Sequence, residues 1–495
     1  ARARTLQHAD YHVLALIGDG ALSGGLAYEG LSDAGDSGEP LIVILNDNGM
    51  SITKSVGGVA EHLARQRLKP QYLRFKKGYR KVMSVLPLGG HIYHATHKIK
   101  TAIKDSLLPC SLFEDMGFTY LGPVDGHDVK YLTQLLSYAK ELNGPVLLHV
   151  RTVKGKGYTP AERNPDQFHG VGRFCVETGE LVHGSGESFS AVFGETLCSL
   201  AEQDGKLCAI TAAMQGGTGL NRFARQFPAR FFDVGIAEGH AVAMAAGMAK
   251  QGMRPVVAIY STFFQRAYDQ MIHDVSLMRL NVLFAVDRAG LVPGDGETHQ
   301  GIYDTGYFSQ IGIPTYSPAN YAELRYWLGK LVREPRGPRA IRYPRGKESP
   351  ALAALECTGN PYDFIHTDAE SKIVLVSYGA ESEEIIAAAD LLAQQGIKVD
   401  CCKLVQVYPL PQSLYEALQR YETVLFAEDS VVTGGIGQQL AFALQQSGWQ
   451  GRYLLHGVDN THLLHANVPQ LRRDQALDAA ALVHAIQQTG KAVQS

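Results

Sequence analysis

The chain has 495 residues, 45% of them hydrophobic and 19% charged, the balance of a globular protein too long for one domain. A formal net charge of −3 gives no basis for nucleic-acid or anionic-membrane binding, and no apolar run reaches the ~18–20 residues that cross a bilayer. Seven cysteines, with no CxxC pair and no Cys/His cluster at zinc spacing, read as reduced thiols of a cytoplasmic protein.

The opening ARARTLQHADYHV lacks the apolar core of a signal peptide. It reads as the tail of a helix entered midway, so the chain is expected to be trimmed at its start. LALIGDGALSGG (Leu14–Gly25) reads as a buried strand that ends in a Gly-Asp-Gly corner and runs into a helix start. LIVILNDN follows after a helix-length gap, and PVLLHVRT (Pro145–Thr152) comes later. Between them, Ser55–His97 is basic and irregular and reads as a solvated amphipathic face. The polar stretch ETGELVHGSGESFS (Glu177–Ser190) reads as a linker. A second series has PVVAIYS (Pro255–Ser261), NVLFAVDR (Asn281–Arg288) and RAIRYPRG (Arg339–Gly346) as its clearest strands. Loose sequence around ECTGNPYDFIHTDAES then precedes KIVLVSYG, KVDCCKLV and TVLFAEDS. Short apolar runs spaced by helical segments predict an α/β fold, with three consecutive domains of mainly parallel sheets flanked by helices. The expected boundaries are 1–176, 191–350 and 371–495, with linkers at 177–190 and 351–370.

In such sheets, ligands bind outside the carboxyl ends of the strands. Asp19 stands at one such end and Asn48 at another. One carboxylate and one amide carbonyl form a hard-oxygen pair suited to Mg²⁺ on a phosphate. A plain glycine turn explains the triplet too, and Gly294-Asp295-Gly296 repeats it. Glu238 lies between a short apolar strand and an Ala/Met-rich helix. Buried there, its carboxyl would have a raised pKa and could bond a ring nitrogen while uncharged; a carboxylate complementing the helix dipole fits the same residues. Phe263 and Phe264 serve as stacking surfaces or as core. Tyr260 and Arg266 are polar groups beside them, Arg266 reading equally as a structural salt bridge. Arg288 and Arg345, each at or past a strand end, suit a bidentate phosphate clamp. The loop bearing Asp295 and His299 suits a cover over substrate, with His299 as proton shuttle or as an exposed His on a glycine turn. Lys154, Lys156 and His169 sit in a glycine-containing loop that is either phosphate-binding or solvated.

These stretches occur together with LGPVDGHD, VKGKGYTPAE, STFFQRAYDQ, GDGETHQG and AEDSVVTGGIG. In this order they resemble the 1-deoxy-D-xylulose-5-phosphate synthases of the transketolase-like thiamine-diphosphate superfamily. The resemblance runs the length of the chain. It implies a homodimer with thiamine diphosphate and Mg²⁺, acting on pyruvate and D-glyceraldehyde 3-phosphate. The implied domains are a diphosphate-binding domain, a pyrimidine-binding domain and a C-terminal transketolase-like domain. The resemblance implies that Asp19, Asn48 and the Met50 carbonyl hold the metal, with Gly18, Gly20, Ala21 and Lys154 at the diphosphate. It makes Ile52 the wedge that bends the cofactor, Glu238 the partner of the pyrimidine nitrogen and Phe263 its stacking ring. Arg288, Arg345 and Tyr260 would hold the acceptor phosphate. Arg266, Asp295 and His299 would line the substrate end, and His169 would handle protons. Gly239 stands where the family carries glutamine. The segment that precedes the first strand in the family is missing, so the first domain is expected to be incomplete. The alternatives are a chain that keeps the fold and dimer interface without catalysis, and a transketolase. The arginine pair favours a phosphorylated aldehyde acceptor.

Overall fold

The computed structural model describes residues 1–50, 112–181, 187–334, 336–459 and 462–492. Ile52 and the stretch Ser55–His97 lie outside the described residues. The chain divides into two units, residues 1–183 with 235–237 and residues 184–234 with 238–495.

The first unit is built on four strands among the described residues: β1 (Val13–Gly18), β2 (Leu41–Asp47), β3 (Thr119–Asp125) and β4 (Val146–Arg151). All pair in parallel, in the order β1-β2-β4-β3. β4 is central and its Val146–Val150 are buried. Val43 and Leu45 of β2 pack with Leu22, Leu31, Phe113 and Phe118. The expectation for β1 is corrected: it is an edge strand, with Leu14 49% and Leu16 74% exposed. An apolar run signals a buried strand only when layers cover both faces, and nothing among the described residues covers these side chains.

The second unit holds two sheets. One contains β5 (Leu207–Thr211), β6 (Phe231–Asp233), β7 (Arg254–Tyr260), β8 (Leu283–Asp287), β9 (Thr315–Tyr316) and β10 (Arg339–Arg342). The other contains β11 (Tyr362–His366), β12 (Ile373–Tyr378), β13 (Asp400–Leu404), β15 (Thr423–Val431) and β16 (Arg452–Val458). The short β14 (Gln406–Tyr408) leaves the second group and pairs antiparallel with β9, giving the order β14-β9-β10-β8-β7-β5-β6. The remaining sheet runs β11-β13-β12-β15-β16, with β11 antiparallel at its edge. β11 falls in the stretch read as loose. Its partner is β13, a long-range pairing that local composition does not signal.

Strand alternation explains the continuous apolar runs. Val256, Ala258, Leu283, Ala285 and Ile341 face a core closed by the helices Phe189–Gln203 and Tyr321–Arg333. Their neighbours Val257, Ile259, Phe284, Val286 and Ala340 face the helices Glu238–Lys250 and Asp304–Ile311. In β13 the adjacent Cys401 and Cys402 likewise enter opposite cores. Burial pushes the Cys401 thiol up to about 12 and that of Cys402 higher still, so neither is a thiolate at neutral pH.

Ion pairs bridge the two sheets of this unit. Lys403 of β13 pairs with Glu323 on the helix Tyr321–Arg333, both fully buried. Arg342 at the end of β10 bonds Asp304 at 2.7 Å and Asp429 of β15 at 3.4 Å. No helix among the described residues is long and apolar enough to cross a membrane.

Candidate active site

In the first unit the register pairs Gly18 of β1 with Asn46 of β2, so Asp19 and Asn48 emerge at the same end of adjacent strands. The Asn48 amide N lies 3.5 Å from Asp19 Oδ1, and Asp19 is nearly buried. Gly20 and Ala21 form the tight turn that follows. Asn48 Oδ1 accepts a bond from the Met50 amide at 2.9 Å, which folds the Asn48–Met50 segment onto itself. Asp47 turns inward instead. Its Oδ2 lies 2.9 Å from His149 Nε2, and His149 Nδ1 lies 2.7 Å from the Tyr120 hydroxyl. The middle residue of NDN is thus structural, a role the sequence did not reveal.

Lys154 follows β4 in a loop. Burial lowers its pKa, and the carboxylates of Asp166 and Asp19 act against that shift. His169 is lowered by burial and then by Lys154. Asp19, Lys154, Asp166 and His169 therefore share one electrostatic neighbourhood. The donors on offer, Asp19, Asn48 and the Met50 carbonyl, are hard oxygens. Among the described residues no group of three or more His, Cys, Asp or Glu side chains could hold a metal alone.

In the second unit Glu238 opens the helix Glu238–Lys250 and is 2% exposed. Burial raises its pKa, and the Arg266 guanidinium, 2.8 Å from Oε2, opposes the shift. That pairing is ionic: Oε2 has no hydrogen bond of good geometry among the described residues. Arg266 thus stands on Glu238. The space beside Gly239 is taken by Gln270, whose Oε1 would lie 3.0 Å from an added Cβ.

The aromatic pair divides its work. Phe264 is wholly buried in the core. Phe263 stacks on Tyr260, with centroids 5.9 Å apart at 26°, and meets His299 edge-on at 5.3 Å. Burial lowers the His299 pKa, and the Asp295 carboxylate acts against that shift. Its Nδ1 lies 2.9 Å from Thr298 Oγ1.

Arg288 follows β8 with φ of +56°, a left-handed conformation uncommon outside glycine and a form of strain found at functional sites. Its guanidinium lies 3.9 Å above the Tyr260 ring and pairs with Asp295. Arg345 Nη1 meets the same carboxylate at 2.5 Å. Both arginines open on a pocket of about 330 Å³ that Ser188, Ser190, Gly216 and Gly217 also line. A Cβ on Gly217 would fall 1.6 Å from the Tyr260 hydroxyl oxygen, so only glycine lets that ring stand there. Beneath lies Asp287, fully buried, with burial pushing its carboxyl up to about 7. It closes an apolar strand just as Asp19 follows one, the signal that could have marked it.

Residues 1–152 match the family model of 1-deoxy-D-xylulose-5-phosphate synthase. The chain is 45% identical over 444 residues to the 1-deoxy-D-xylulose-5-phosphate synthase of Clostridium kluyveri, which covers 89% of this chain and 71% of that relative. The chain belongs to this family. The synthase of Natranaerobius thermophilus is 44% identical over 90% of this chain and 72% of its own length, and that of Clostridium tetani 40% over 98% and 78%. Residues 186–349 match the transketolase pyrimidine-binding domain, and 365–482 the transketolase C-terminal domain. Two solved structures share the fold. Campylobacter jejuni transketolase has a TM-score of 0.54 and 16% identity, over 98% of this chain and 79% of that one. A split-gene transketolase, described as an inactive β4 tetramer, has a TM-score of 0.54 and 24% identity, over 61% of this chain and 98% of that one. The family is one of transketolase-type transferases and implies thiamine diphosphate as cofactor.

Proposed function

We propose that the chain joins pyruvate and D-glyceraldehyde 3-phosphate into 1-deoxy-D-xylulose 5-phosphate, releasing CO₂ and taking up one proton. The observation that carries this reading is Glu238: a buried carboxyl with a raised pKa whose Oε2 lacks a hydrogen bond. A carboxyl shifted in that direction suits proton exchange with a ring nitrogen. Thiamine diphosphate, when bound, supplies the carbon that attacks pyruvate and stores the electron pair left by CO₂. Asp19, Asn48 and the Met50 carbonyl would hold Mg²⁺ on its diphosphate, with Gly18, Gly20, Ala21 and Lys154 nearby. Phe263 would face its pyrimidine. Ile52, the proposed wedge, lies outside the described residues.

The acceptor is bound by the other half of the constellation. Arg288 and Arg345 hold its phosphate by paired N–H bonds, with Tyr260 beneath Arg288. Asp295 holds the two guanidinium groups together before substrate arrives. As the new carbon–carbon bond forms, the aldehyde oxygen gains negative charge. The N–H of His299 would stabilise that oxygen, with Arg266 at the same end of the site. His169 would serve proton handling beside Lys154. The proposal includes a homodimer, domains at 1–176, 191–350 and 371–495, and a cytoplasmic setting, which suits the free thiols of all described cysteines.

The test is direct. The intact gene product is supplied with pyruvate, D-glyceraldehyde 3-phosphate, thiamine diphosphate and Mg²⁺, and CO₂ is measured. Release that depends on both substrates supports the reading; no release from a folded, cofactor-saturated protein sinks it.

A further inference from the structure

The loop from Leu291 to Gln300 carries Asp295 and His299, yet much of what fixes it comes from the C-terminal third of the chain. At its base, Gly290 and Gly301 exchange two backbone hydrogen bonds, of 2.7 and 2.8 Å. Gly290 has φ of +77°, and a Cβ there would lie 1.8 Å from Asp429 Oδ2, so the base presses directly on β15. Asp429 is itself tied to Arg342. Leu291 and Ile302, at the two ends of the loop, are buried with Leu375, Leu425 and Leu463 of the C-terminal sheet and its following segment. Within the loop, the Gln300 side chain bonds Val292 N at 2.8 Å and Val292 O at 2.9 Å. At the crest, His465 Nε2 lies 3.0 Å from the carbonyl oxygen of Gly294, the residue before Asp295.

We propose that His465 is a positioning residue for the acceptor substrate: its Nε2–H holds the Gly294 carbonyl and so sets where Asp295 and His299 stand. The inference rests on the acceptor role given above to Arg288, Asp295 and Arg345. The contact of His465 is with the loop backbone, through the Gly294 carbonyl. It acts on the one carbonyl whose displacement moves the Asp295 backbone directly, while Arg345 Nη1 holds the preceding Pro293 carbonyl at 2.7 Å from the other side. The bond needs only an N–H at Nε2, which the imidazolium ion and one neutral tautomer both supply.

The experiment compares wild type, His465→Ala, His465→Gln and Asp295→Ala in the cofactor-loaded protein. It records KM for each substrate, kcat and melting temperature. A lost hydrogen bond of ordinary strength predicts that His465→Ala raises the KM for D-glyceraldehyde 3-phosphate about fivefold. The pyruvate KM should change less than about twofold and the melting temperature little. His465→Gln, which keeps an amide N–H at similar reach, should recover most of the loss. If His465→Ala leaves the acceptor KM unchanged while Asp295→Ala raises it, the inference is overturned and the acceptor assignment stands. If neither variant moves the acceptor KM, both fall. Equal losses for the two substrates with a lowered melting temperature would mark His465 as merely structural and also overturn the inference.

Discussion

Glu238 and Asp287 are buried carboxyls with different work. Glu238 keeps an unbonded oxygen beside Arg266, and Glu238→Ala should abolish CO₂ release while leaving the melting temperature within a few degrees. Near-normal turnover in that variant would remove its proton-transfer role. Asp287 faces a folded-state pKa of about 7 against a usual 3.8. The folded state therefore binds the extra proton. The stability this carries is complete below pH 3.8 and is lost as pH rises towards 7. Asn in its place never meets the cost of a buried charge. Asp287→Asn should thus gain stability over wild type as pH rises from 5 to 8, by about 2.6 kcal/mol at ~1.36 kcal/mol per pKa unit. Denaturant titrations at the two pH values check this, and an equal difference at both would contradict it. The residue pattern left Glu238 readable as a carboxylate complementing a helix dipole, and only the family resemblance pointed to a cofactor role. Asp287 was passed over, since strand-end aspartates are common and only packing shows that this one is sealed from water.

Among the elements, the loop Leu291–Gln300 is held at its base and crest by the C-terminal part of the chain. Its sequence reads as a cover over substrate or as a plain glycine turn, and contacts from Asp429, Arg345 and His465 hold it. Gly290→Ala should destabilise the protein by about 2 kcal/mol, because the added methyl meets Asp429 and the backbone is left-handed. It should also raise the acceptor KM, because Asp295 shifts with the base of the loop. A chemical-denaturation midpoint together with acceptor kinetics tests both halves. The strands were legible as elements, since their apolar runs are long and bounded by turns. What could not be read was exposure: β1 carries the same Leu/Ile pattern as β2, yet its leucines stand at an edge. β11 and β14 were missed because each is made by a distant partner, β13 and β9, and has little local propensity of its own.

For the whole molecule, the second unit contains two sheets that the sequence treats as separate domains. β14 joins the seven-stranded sheet from the far side, and Lys403–Glu323 and Arg342–Asp304–Asp429 lie sealed between them. Glu323 also receives the Ala319 amide at 2.8 Å and its own amide bonds Asn320, so it caps its helix while balancing Lys403. Lys403→Met removes one partner and leaves a buried carboxylate, at a cost of about 3–5 kcal/mol. Adding Glu323→Gln should recover a large part of that cost, because the capping bonds remain and the charge is gone. Calorimetry should show this unit melting in one transition; two separable peaks for residues 184–349 and 350–495 would contradict the coupling.

The sequence by itself determined the α/β class, the parallel sheets, the family and the residue types needed for cofactor chemistry. Each of these is written in local pattern: apolar runs of strand length, strand-end Asp and Asn, arginines after strands. The tertiary structure decided which of those residues meet. It turned Asp47 inward to His149, set Arg266 on Glu238, split Phe263 from Phe264, and placed Arg288 and Arg345 on one carboxylate. It also brought His465 to Gly294, 171 residues away. Such pairings depend on how distant strands stack and on which faces are sealed from water, and a linear pattern carries neither.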